Sequence, residues 1–305
     1  MYKQFFGLTR NPFEITPDPS FLFPTSKHNE ALAALYYGVR MHKGFVVLTG
    51  EVGTGKTLLV RCLLHLLKNT AINYAYIFNS ILSPLEFLQH ISGDFGLPAS
   101  GKNKSEVLLQ LGKYLVERYQ KGLTTLLVVD EAHHLSAEVL EEVRLLTNLE
   151  TTTRKLLQIL LVGQPELDEK LDSFELRQLK QRIALRAQLD HLTQEETKGY
   201  IQLRLQRAGA TRSETLFPVE SMNAVHWHTK GIPRLINTVC ESSLITTYAR
   251  QQTSVTVDVI EEVARDLRLV QTSPSRACRK PAPGNDDLLN AITLLSNVCK
   301  GLRAQ

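Results

Sequence analysis

The chain carries the stretch Gly50-Glu51-Val52-Gly53-Thr54-Gly55-Lys56-Thr57, which fits the phosphate-binding pattern G-x-x-x-x-G-K-S/T. The apolar run Phe45-Val46-Val47-Leu48 precedes it and is typical of a buried strand. Glycines in the pattern allow backbone angles that turn successive N–H groups toward a phosphate. Lys56 is expected to contact the β and γ phosphates, and Thr57 to bind Mg²⁺. The sequence therefore predicts a nucleoside triphosphate site at the start of a helix.

Two adjacent carboxylates follow a second apolar run, Thr124-Thr125-Leu126-Leu127-Val128-Val129. Asp130 is expected to hold Mg²⁺ through its water shell, and Glu131 to polarise an attacking water. A phosphate loop alone binds a nucleotide without hydrolysing it, so this pair of acids favours ATP hydrolysis.

The acids belong to the stretch Asp130-Glu131-Ala132-His133-His134, which contains the letters of a DEAH-type helicase box. Such helicases need a second RecA-like lobe with its own arginine motifs. The chain after this stretch is too short and too helical for one, so a helicase core is disfavoured. His133 and His134 are expected to point apart because they are adjacent. We therefore interpret them as residues at the start of a helix, not as metal ligands.

Composition sets broad limits on the function. The chain has 305 residues, enough for about two domains of common size, and a formal net charge of +4 that permits an acidic partner without demanding one. No apolar stretch approaches the roughly 18 residues of a membrane span. The four cysteines lie far apart, and the first two fall in apolar helical patterns, which predicts buried thiols in a reducing, cytosolic compartment. They are Cys62, Cys240, Cys278 and Cys299.

Hydrophobic periodicity alternates between strand and helix types up to about Leu192 and is almost purely helical afterwards. Further strands are predicted at 72–78 and 156–162, with helices at 57–67, 84–95, 105–119 and 136–147. The later helices are predicted at 193–209, 218–229, 233–250 and 257–267. This order predicts an α/β domain with a largely parallel sheet, whose ligands bind at the carboxyl ends of the strands. We divide the chain into an N-terminal segment (1–40), an α/β nucleotide domain (41–192), a helical domain (193–269) and a linker with a short amphipathic helix (270–305).

An α/β nucleotide domain followed by a small helical domain resembles the P-loop AAA+ ATPases, in which the helical domain is a lid. Gly231-Ile232-Pro233-Arg234 is similar to the motif around the sensor-2 arginine, which implies that Arg234 contacts the γ-phosphate. A salt-bridged surface arginine is the alternative. Gln164 follows the strand at 156–162 and occupies the sensor-1 position, which implies that it contacts the γ-phosphate and the attacking water.

The stretch Leu176-Arg177-Gln178-Leu179-Lys180-Gln181-Arg182-Ile183 is similar to the AAA+ region that supplies arginine fingers to the neighbouring subunit. Arg182 is the first choice for this role, with Arg177 and Arg186 behind it. A surface arginine without this role is an equal interpretation. The resemblance implies a homo-oligomer, a ring or a filament, with ATP at its subunit interfaces.

Within the AAA+ proteins the chain resembles the general secretion pathway protein A (ExeA-type) family over about residues 1–269. The matching motifs are Phe6-Gly7-Leu8, Asn11-Pro12-Phe13, Pro17-Asp18-Pro19, Phe21-Leu22-Phe23, the phosphate loop, Leu145-Leu146-Thr147-Asn148-Leu149-Glu150 and Val162-Gly163-Gln164-Pro165-Glu166-Leu167. The resemblance implies that the segment before the loop lies near the adenine, with His28 and Tyr37 as candidate contacts. A helix-start residue and a core residue are the respective alternatives. Asn148 is expected either to sense the phosphate or to cap a helix end.

Two functions of different classes follow from these resemblances. The first is an ATPase for cell-envelope secretion or surface-structure assembly. Family members that assist type II secretion continue into a transmembrane helix and a periplasmic domain that this sequence does not show, so we expect a truncated ATPase domain or a soluble relative. The second is an ATP-dependent DNA-binding regulator of transposition, since the module also resembles regulators of the TnsC and TniB kind and the isoelectric point is near 8.8.

Overall fold

The computed structural model describes residues 2–68, 70–78, 81–152, 154–210 and 213–269. Residues up to Leu269 form one compact unit. The predicted linker and amphipathic helix at 270–305, with Cys278 and Cys299, lie outside the described residues. Cys62 and Cys240 are buried free thiols, which confirms their prediction as small core residues.

A five-stranded sheet of parallel strands forms the centre of the α/β part, in the order β2-β3-β4-β1-β5. The strands are β1 (Phe45–Gly50), β2 (Ile72–Ile77), β3 (Thr124–Val129), β4 (Leu157–Gly163) and β5 (Leu185–Leu189). The three inner strands are almost wholly buried, as expected for a parallel sheet covered on both faces. The predicted α/β class with a parallel sheet is confirmed.

Strand β5 is absent from the sequence prediction. It lies at the edge of the sheet beside β1, and its exposed positions carry Arg186 and Gln188. Only Leu189 in this strand is buried. A short edge strand with charged and polar residues on its open side lacks the apolar run on which the other strands were predicted.

Thirteen α-helices surround and follow the sheet in the described residues. Those before and within the sheet are α1 (Tyr2–Phe5), α2 (Ser26–Arg40), α3 (Lys56–Leu67), α4 (Pro84–Asp94), α5 (Lys104–Gln120), α6 (Ala137–Leu146), α7 (Glu166–Leu171) and α8 (Arg177–Lys180). Those after it are α9 (Gln194–Arg207), α10 (Ser213–Leu216), α11 (Val219–Thr229), α12 (Pro233–Ala249) and α13 (Val257–Asp266). Two short 3-10 helices are Pro19–Phe21 and Ala132–His134.

The helices that the sequence predicts between 57 and 267 are present, with ends that differ by a few residues. Three of them begin at reciprocal capping boxes, in which an N-cap side chain and a glutamate three residues later each bond the other's backbone N–H. The pairs are Ser83 with Glu86, Asn103 with Glu106 and Thr193 with Glu196. No helix in the described part of the chain is both long and apolar enough to cross a bilayer.

Apolar layers cover both faces of the sheet, one shared with α4, α5 and α6 and the other with α2 and α3. A separate apolar core holds the helices α9 to α13 together. Phe13 belongs to that core and packs edge-on against Phe217 at a centroid distance of 5.8 Å. Tyr2, Phe6 and Phe23 pack against the same core. The first part of the segment at 1–40 therefore wraps the helical part, while α2 packs on the sheet.

The turn before α12 holds the helical part close to the end of β5. Gly231 has φ of +76°, and a Cβ added there would lie 1.9 Å from the backbone oxygen of Leu192. The backbone N–H of Leu192 in turn donates to Gly231 O at 2.9 Å. Only glycine allows this approach, which sets where α12 begins relative to the phosphate loop.

Candidate nucleotide-binding site

The phosphate-loop motif forms the connection from β1 to α3, at the carboxyl end of the sheet. Gly53 and Gly55 have φ of +84° and +102°, a region that side chains with a Cβ rarely adopt. Thr54 is buried, and its hydroxyl donates to Glu51 O at 2.8 Å. Glycine thus sits where the loop requires left-handed backbone, and the helix α3 starts directly at Lys56.

Lys56 is 7% exposed and lies inside the loop. Its Nζ donates to the carbonyl oxygens of Gly50 at 2.7 Å and Glu51 at 3.0 Å. Burial lowers the pKa of Lys56, and the nearby carboxylates of Glu131 and Asp130 oppose this shift. The structure therefore places one buried cation opposite the two acids that the sequence pairs with it.

Asp130 follows β3 and is 6% exposed. Its Oδ2 accepts hydrogen bonds from the Thr57 hydroxyl at 3.1 Å and from the Tyr76 hydroxyl at 2.7 Å. Its Oδ1 accepts from the backbone N–H of Glu131 at 3.0 Å. The two residues predicted to bind Mg²⁺, Thr57 and Asp130, are thus in direct contact.

Tyr76 is a site residue that the sequence analysis missed. It lies near the end of β2, opposite Val128 of β3, which brings its hydroxyl to Asp130. Burial raises the pKa of Tyr76, and the negative charge of Asp130 raises it further, so the phenol keeps its proton and acts as a donor. The sequence offered one signal for this residue, a tyrosine near the end of the strand predicted at 72–78.

Glu131 has left-handed backbone, with φ of 51° and ψ of 37°. For a residue with a Cβ this conformation costs about 1 to 2 kcal/mol, and such strain is concentrated at functional sites. It turns the chain sharply after Asp130, so that the Glu131 carboxylate faces the cavity and its Oε2 lies 3.5 Å from His133 Nδ1. The neighbouring acids therefore point in different directions, as expected for a metal ligand beside a base.

The prediction that the rings of His133 and His134 point apart is wrong. Their centroids are 4.0 Å apart at an interplanar angle of 41°. The two residues share the 3-10 helix Ala132–His134, in which successive side chains diverge by only about 120°, so two large rings can still touch. The two histidines are the last two residues of this short helix, which ends before α6 begins at Ala137, so they do not start the longer helix.

Gln164 follows the last residue of β4 and lines the cavity. Its backbone N–H donates to His133 Nδ1 at 3.4 Å, and its side-chain Nε2 lies 2.9 Å from His133 Nε2. The sensor-1 candidate is therefore held by a residue of the acid-bearing stretch.

Arg234 lies in the first turn of α12, directly over the phosphate loop. Its backbone N–H donates to Gly53 O at 3.2 Å, and a Cβ on Gly53 would lie 2.7 Å from Arg234 Cβ. The side chain lines the cavity and, within the described ranges, has no carboxylate at ion-pair distance. This geometry favours the sensor-2 interpretation over a salt-bridged surface arginine.

One cavity joins these residues to the N-terminal segment and the helical part. Its phosphate end is lined by Gly53, Lys56, Thr57, Glu131 and Gln164. Its other end is lined by residues 14–18, which we call the strap, together with Tyr200, Arg204, Pro233 and Asn237.

Arg204 fixes the strap to the helical part. It is 4% exposed, and its guanidinium donates to Pro12 O at 2.6 Å, Glu14 O at 3.1 Å and the Tyr200 hydroxyl at 2.6 Å. Asn237 accepts from the Tyr200 hydroxyl at 2.9 Å and donates to Glu14 O at 3.4 Å. Buried arginine donors bonded to backbone carbonyls hold a chain segment in one register.

The expected adenine contacts His28 and Tyr37 do not line the cavity. His28 is buried beneath the loop, where its ring bonds the Thr25 hydroxyl at 2.7 Å and the backbone of Thr54. Tyr37 is 49% exposed, with Lys43 Nζ 5.5 Å from its ring centroid. His28 lies in the first turn of α2, which agrees with its helix-start alternative, whereas the exposure of Tyr37 contradicts its core alternative.

Asn148 also lies away from the cavity. It is exposed just after α6, and its backbone N–H donates to Leu145 O at 3.0 Å. Its place at the end of a helix agrees with the capping alternative and not with phosphate sensing.

The arginine-rich stretch lies between α7 and β5. Arg186 pairs with Asp168 at 2.5 Å and with Asp172 at 3.3 Å, and the Arg177 guanidinium lies 4.1 Å from the Phe174 ring centroid. Arg182 is partly exposed in the turn after α8, and no carboxylate in the described part of the chain is within 4 Å of it. Two of the three candidates are thus engaged within their own chain.

Comparisons with known proteins agree with this geometry. The family model for an AAA domain matches residues 39–171. General secretion pathway protein A of Aeromonas hydrophila is 45% identical over 251 residues, which are 82% of this chain and 45% of that protein. The chain therefore spans less than half the length of this curated relative.

Solved structures with the same fold include two origin recognition proteins and a branch migration motor. The ORC2 protein of Aeropyrum pernix has a TM-score of 0.63 at 18% identity, covering 84% of this chain and 71% of that one. The Drosophila ORC bound to DNA has a TM-score of 0.64 at 18% identity, covering 85% and 65%. The RuvB Holliday junction branch migration motor of Thermotoga maritima has a TM-score of 0.54 at 15% identity, covering 80% and 70%. At these identities the similarity shows the fold, which is that of the P-loop AAA+ domain.

Proposed function

The chain belongs to the general secretion pathway protein A family of AAA+ proteins, and from this premise we propose that it hydrolyses Mg²⁺–ATP as a homo-oligomer. The ATPase is proposed to remodel or assemble a cell-envelope complex. The similarity to general secretion pathway protein A supports a secretion role, and the site geometry supports the chemistry.

One observation carries the proposed chemistry: Lys56, Thr57 and Glu131 line one cavity with Gln164 and Arg234, and Asp130 contacts Thr57 beside it. Thr57 and Asp130 offer a hydroxyl and a carboxylate, which are oxygen ligands that suit Mg²⁺. When bound, Mg²⁺ neutralises phosphate charge and orients the phosphates. The donor set of this chain fits such an ion.

Each remaining residue is assigned one task. Lys56 and Arg234 supply positive charge for the phosphates from the loop and from α12. The Glu131 carboxylate accepts a proton from the attacking water, and the Gln164 amide orients that water or the γ-phosphate. The backbone N–H groups of residues 50–57 are proposed to bind the phosphates.

The strap is proposed to form the wall against the nucleotide base. Ile15 is 57% exposed and lines this end of the cavity with Pro17, offering apolar surface to a planar ring. Arg204 does not need to touch the base for this purpose, because it holds Pro12 and Glu14 from behind.

Arg204→Lys and Arg204→Met are expected to weaken ATP binding about tenfold, which corresponds to the loss of one hydrogen bond to a charged donor. Binding of inorganic tripolyphosphate, which has no base, is expected to be unchanged. Isothermal titration with both ligands measures the difference. Arg250→Met is the matched control, since Arg250 pairs with Glu262 on the surface of the helical part. Equal losses for ATP and tripolyphosphate would contradict a wall for the base.

Subunits are proposed to share the site through Arg182. Arg182→Ala and Glu131→Gln proteins are each expected to lose most ATP turnover, while their mixture regains part of it. In a mixed oligomer, an Arg182→Ala subunit keeps its own Glu131 and receives Arg182 from a Glu131→Gln neighbour. Arg177→Ala is the control, because that guanidinium stacks on Phe174 of its own chain.

The measurement is turnover per subunit across a range of mixing ratios and total protein concentrations. A mixture no more active than its parts, or turnover independent of protein concentration, would place the whole site within one chain. That result would contradict the shared site and leave hydrolysis by a monomer.

A further inference from the structure

His133 connects the two residues to which the hydrolytic step is assigned. It follows Glu131 closely in sequence, whereas Gln164 is 31 residues away at the end of β4. The His133 side chain is only 8% exposed, and its ring approaches both residues. No task proposed above uses this ring.

The backbone around His133 is held from the far side by α7. Lys170 Nζ donates to His133 O at 2.6 Å and to Leu135 O at 2.8 Å. The 3-10 helix Ala132–His134 is therefore tied to the element that follows Gln164 directly in the chain. A ring on this fixed backbone has little freedom to leave its two contacts.

The hydrogen bonds decide which ring nitrogen carries the proton. Burial lowers the pKa of His133, and the adjacent His134 lowers it further, so the ring is neutral at pH 7 and has a single N–H. Two groups face Nδ1: the backbone N–H of Gln164 at 3.4 Å and Glu131 Oε2 at 3.5 Å. The backbone N–H can only donate and is aimed at Nδ1 within hydrogen-bond geometry, so we assign Nδ1 as the acceptor. The proton then lies on Nε2, which makes Nε2 the donor toward Gln164.

This assignment also orients the Gln164 amide. The amide atom placed 2.9 Å from His133 Nε2 is Gln164 Nε2, which is itself a donor. A donor at the ring therefore requires the amide to be turned, so that its oxygen, its only acceptor, takes that place. The oxygen and nitrogen ends of an amide have nearly the same shape, so the hydrogen-bond network decides between them. The NH₂ end of Gln164 is then left for an oxyanion or a water in the cavity.

We propose that His133 is a positioning residue that fixes the Gln164 amide with its NH₂ group available to the reacting phosphate or water. This inference rests on the proposed ATP hydrolysis. An amide free to rotate would present its oxygen to the phosphate in part of its orientations, and an oxygen there repels an anion. His133 thus couples the acid-bearing stretch after β3 to the sensor residue after β4.

The test compares substitutions that keep or remove the Nε2 contact. An asparagine at position 133 places its polar end near Nδ1 only, whereas a glutamine reaches the position of Nε2. His133→Asn is expected to lower kcat roughly 10- to 100-fold with little change in KM for ATP, as for the loss of a preorganised donor. His133→Gln is expected to recover a large part of kcat. His134→Asn, a neighbouring histidine without a Gln164 contact, is expected to retain turnover within about threefold of the original chain, because it leaves the donor network intact.

A double-substitution cycle shows whether His133 acts through Gln164. The His133→Asn, Gln164→Ala protein is expected to lose no more turnover than Gln164→Ala alone. Losses that multiply, or His133→Asn turnover equal to that of the original chain, would overturn the proposal. Thermal melting of each variant separates these results from unfolding.

The side-chain amide signal of Gln164 gives a readout that does not depend on turnover. Protein labelled with ¹⁵N-glutamine is recorded by NMR, and Gln164→Ala identifies the signal. His133→Asn is expected to move it toward the position of exposed glutamines, whereas His134→Asn leaves it in place. A signal unmoved by His133→Asn would overturn the inference. A chain that shows the shift but hydrolyses no ATP would refute the proposed function while leaving the contact established.

Discussion

Glu131→Gln is expected to lower ATP turnover by about 100-fold or more while ATP remains bound, because the amide cannot accept a proton from water. The two side chains have the same shape, so the left-handed backbone at this position carries a similar cost in both proteins. The contacts that hold Asp130, through Thr57 and Tyr76, do not involve the Glu131 side chain. The Glu131→Gln protein is therefore expected to bind ATP as the original chain does while losing most of its hydrolysis.

Single-turnover hydrolysis measures the chemical step, and chromatography of the purified protein measures the retained ATP. Glu166→Gln is the matched control, since Glu166 is an exposed acid in the first turn of α7 whose charge also reaches Lys56. This control is expected to retain turnover within about threefold, because it removes charge without removing the base. Unchanged turnover in Glu131→Gln would remove Glu131 from the role of base.

The same variant separates the two functions that the sequence resemblance implies. A protein that binds ATP without hydrolysing it accumulates in its assembled form, which electron microscopy with Mg²⁺–ATP reveals. Rings that form equally with and without duplex DNA at low salt would support the envelope-assembly ATPase. Assembly only on DNA would move the function to a DNA-bound regulator of transposition, with affinity that falls as salt rises.

The sequence was sufficient to predict the helices and strands that have a regular local pattern of apolar, polar and capping residues. The buried runs that became β1 and β3 and the capped helix α9 were placed correctly, because burial and capping leave local patterns. The edge strand β5 was missed because Arg186 and Gln188 interrupt its apolar pattern. The residues of the phosphate loop were identifiable because eight consecutive positions carry the whole motif.

The missed site residues act through contacts between distant parts of the chain. Tyr76 meets Asp130 only because β2 and β3 are neighbours, and His133 meets Gln164 only because β3 and β4 are. Arg204 bonds Pro12 across 192 positions of sequence. None of these pairs has a local spacing rule. These contacts can be recognised only when the order of the strands, or the path of the strap, is known.

The strap lines the cavity, whereas His28 and Tyr37, the predicted adenine contacts, do not. The aromatic residues at 1–23 have no regular period, and their packing against the helical core became visible only in the fold. The sequence therefore grouped residues 1–40 together, although α2 packs on the sheet and the strap lies across the cavity. A change in the position of the helical part relative to the sheet would accordingly move the strap with it, through Arg204.

Lys56→Ala is expected to abolish ATP binding at concentrations that saturate the original chain. A cation about 4 Å from a phosphate charge contributes about 4 kcal/mol near a protein surface, which is a loss of roughly 1,000-fold in affinity. The carboxylates of Asp130 and Glu131 face Lys56. Without its positive charge they would repel the phosphates, which lowers the affinity for ATP further. Isothermal titration with Mg²⁺–ATP gives the affinity.

Lys56→Met preserves most of the side-chain volume and separates the loss of charge from a loss of packing. Burial lowers the pKa of Lys56 in the folded chain below its unfolded value, so the charged form costs stability. Methionine removes this cost but also the hydrogen bonds to Gly50 O and Glu51 O, so the melting temperature is expected to change little. ATP is expected to raise the melting temperature of the original chain, since a ligand that binds only the folded state stabilises it, but not that of Lys56→Met. Tight ATP binding by either variant would show that the phosphates lie elsewhere than in the loop at 50–57.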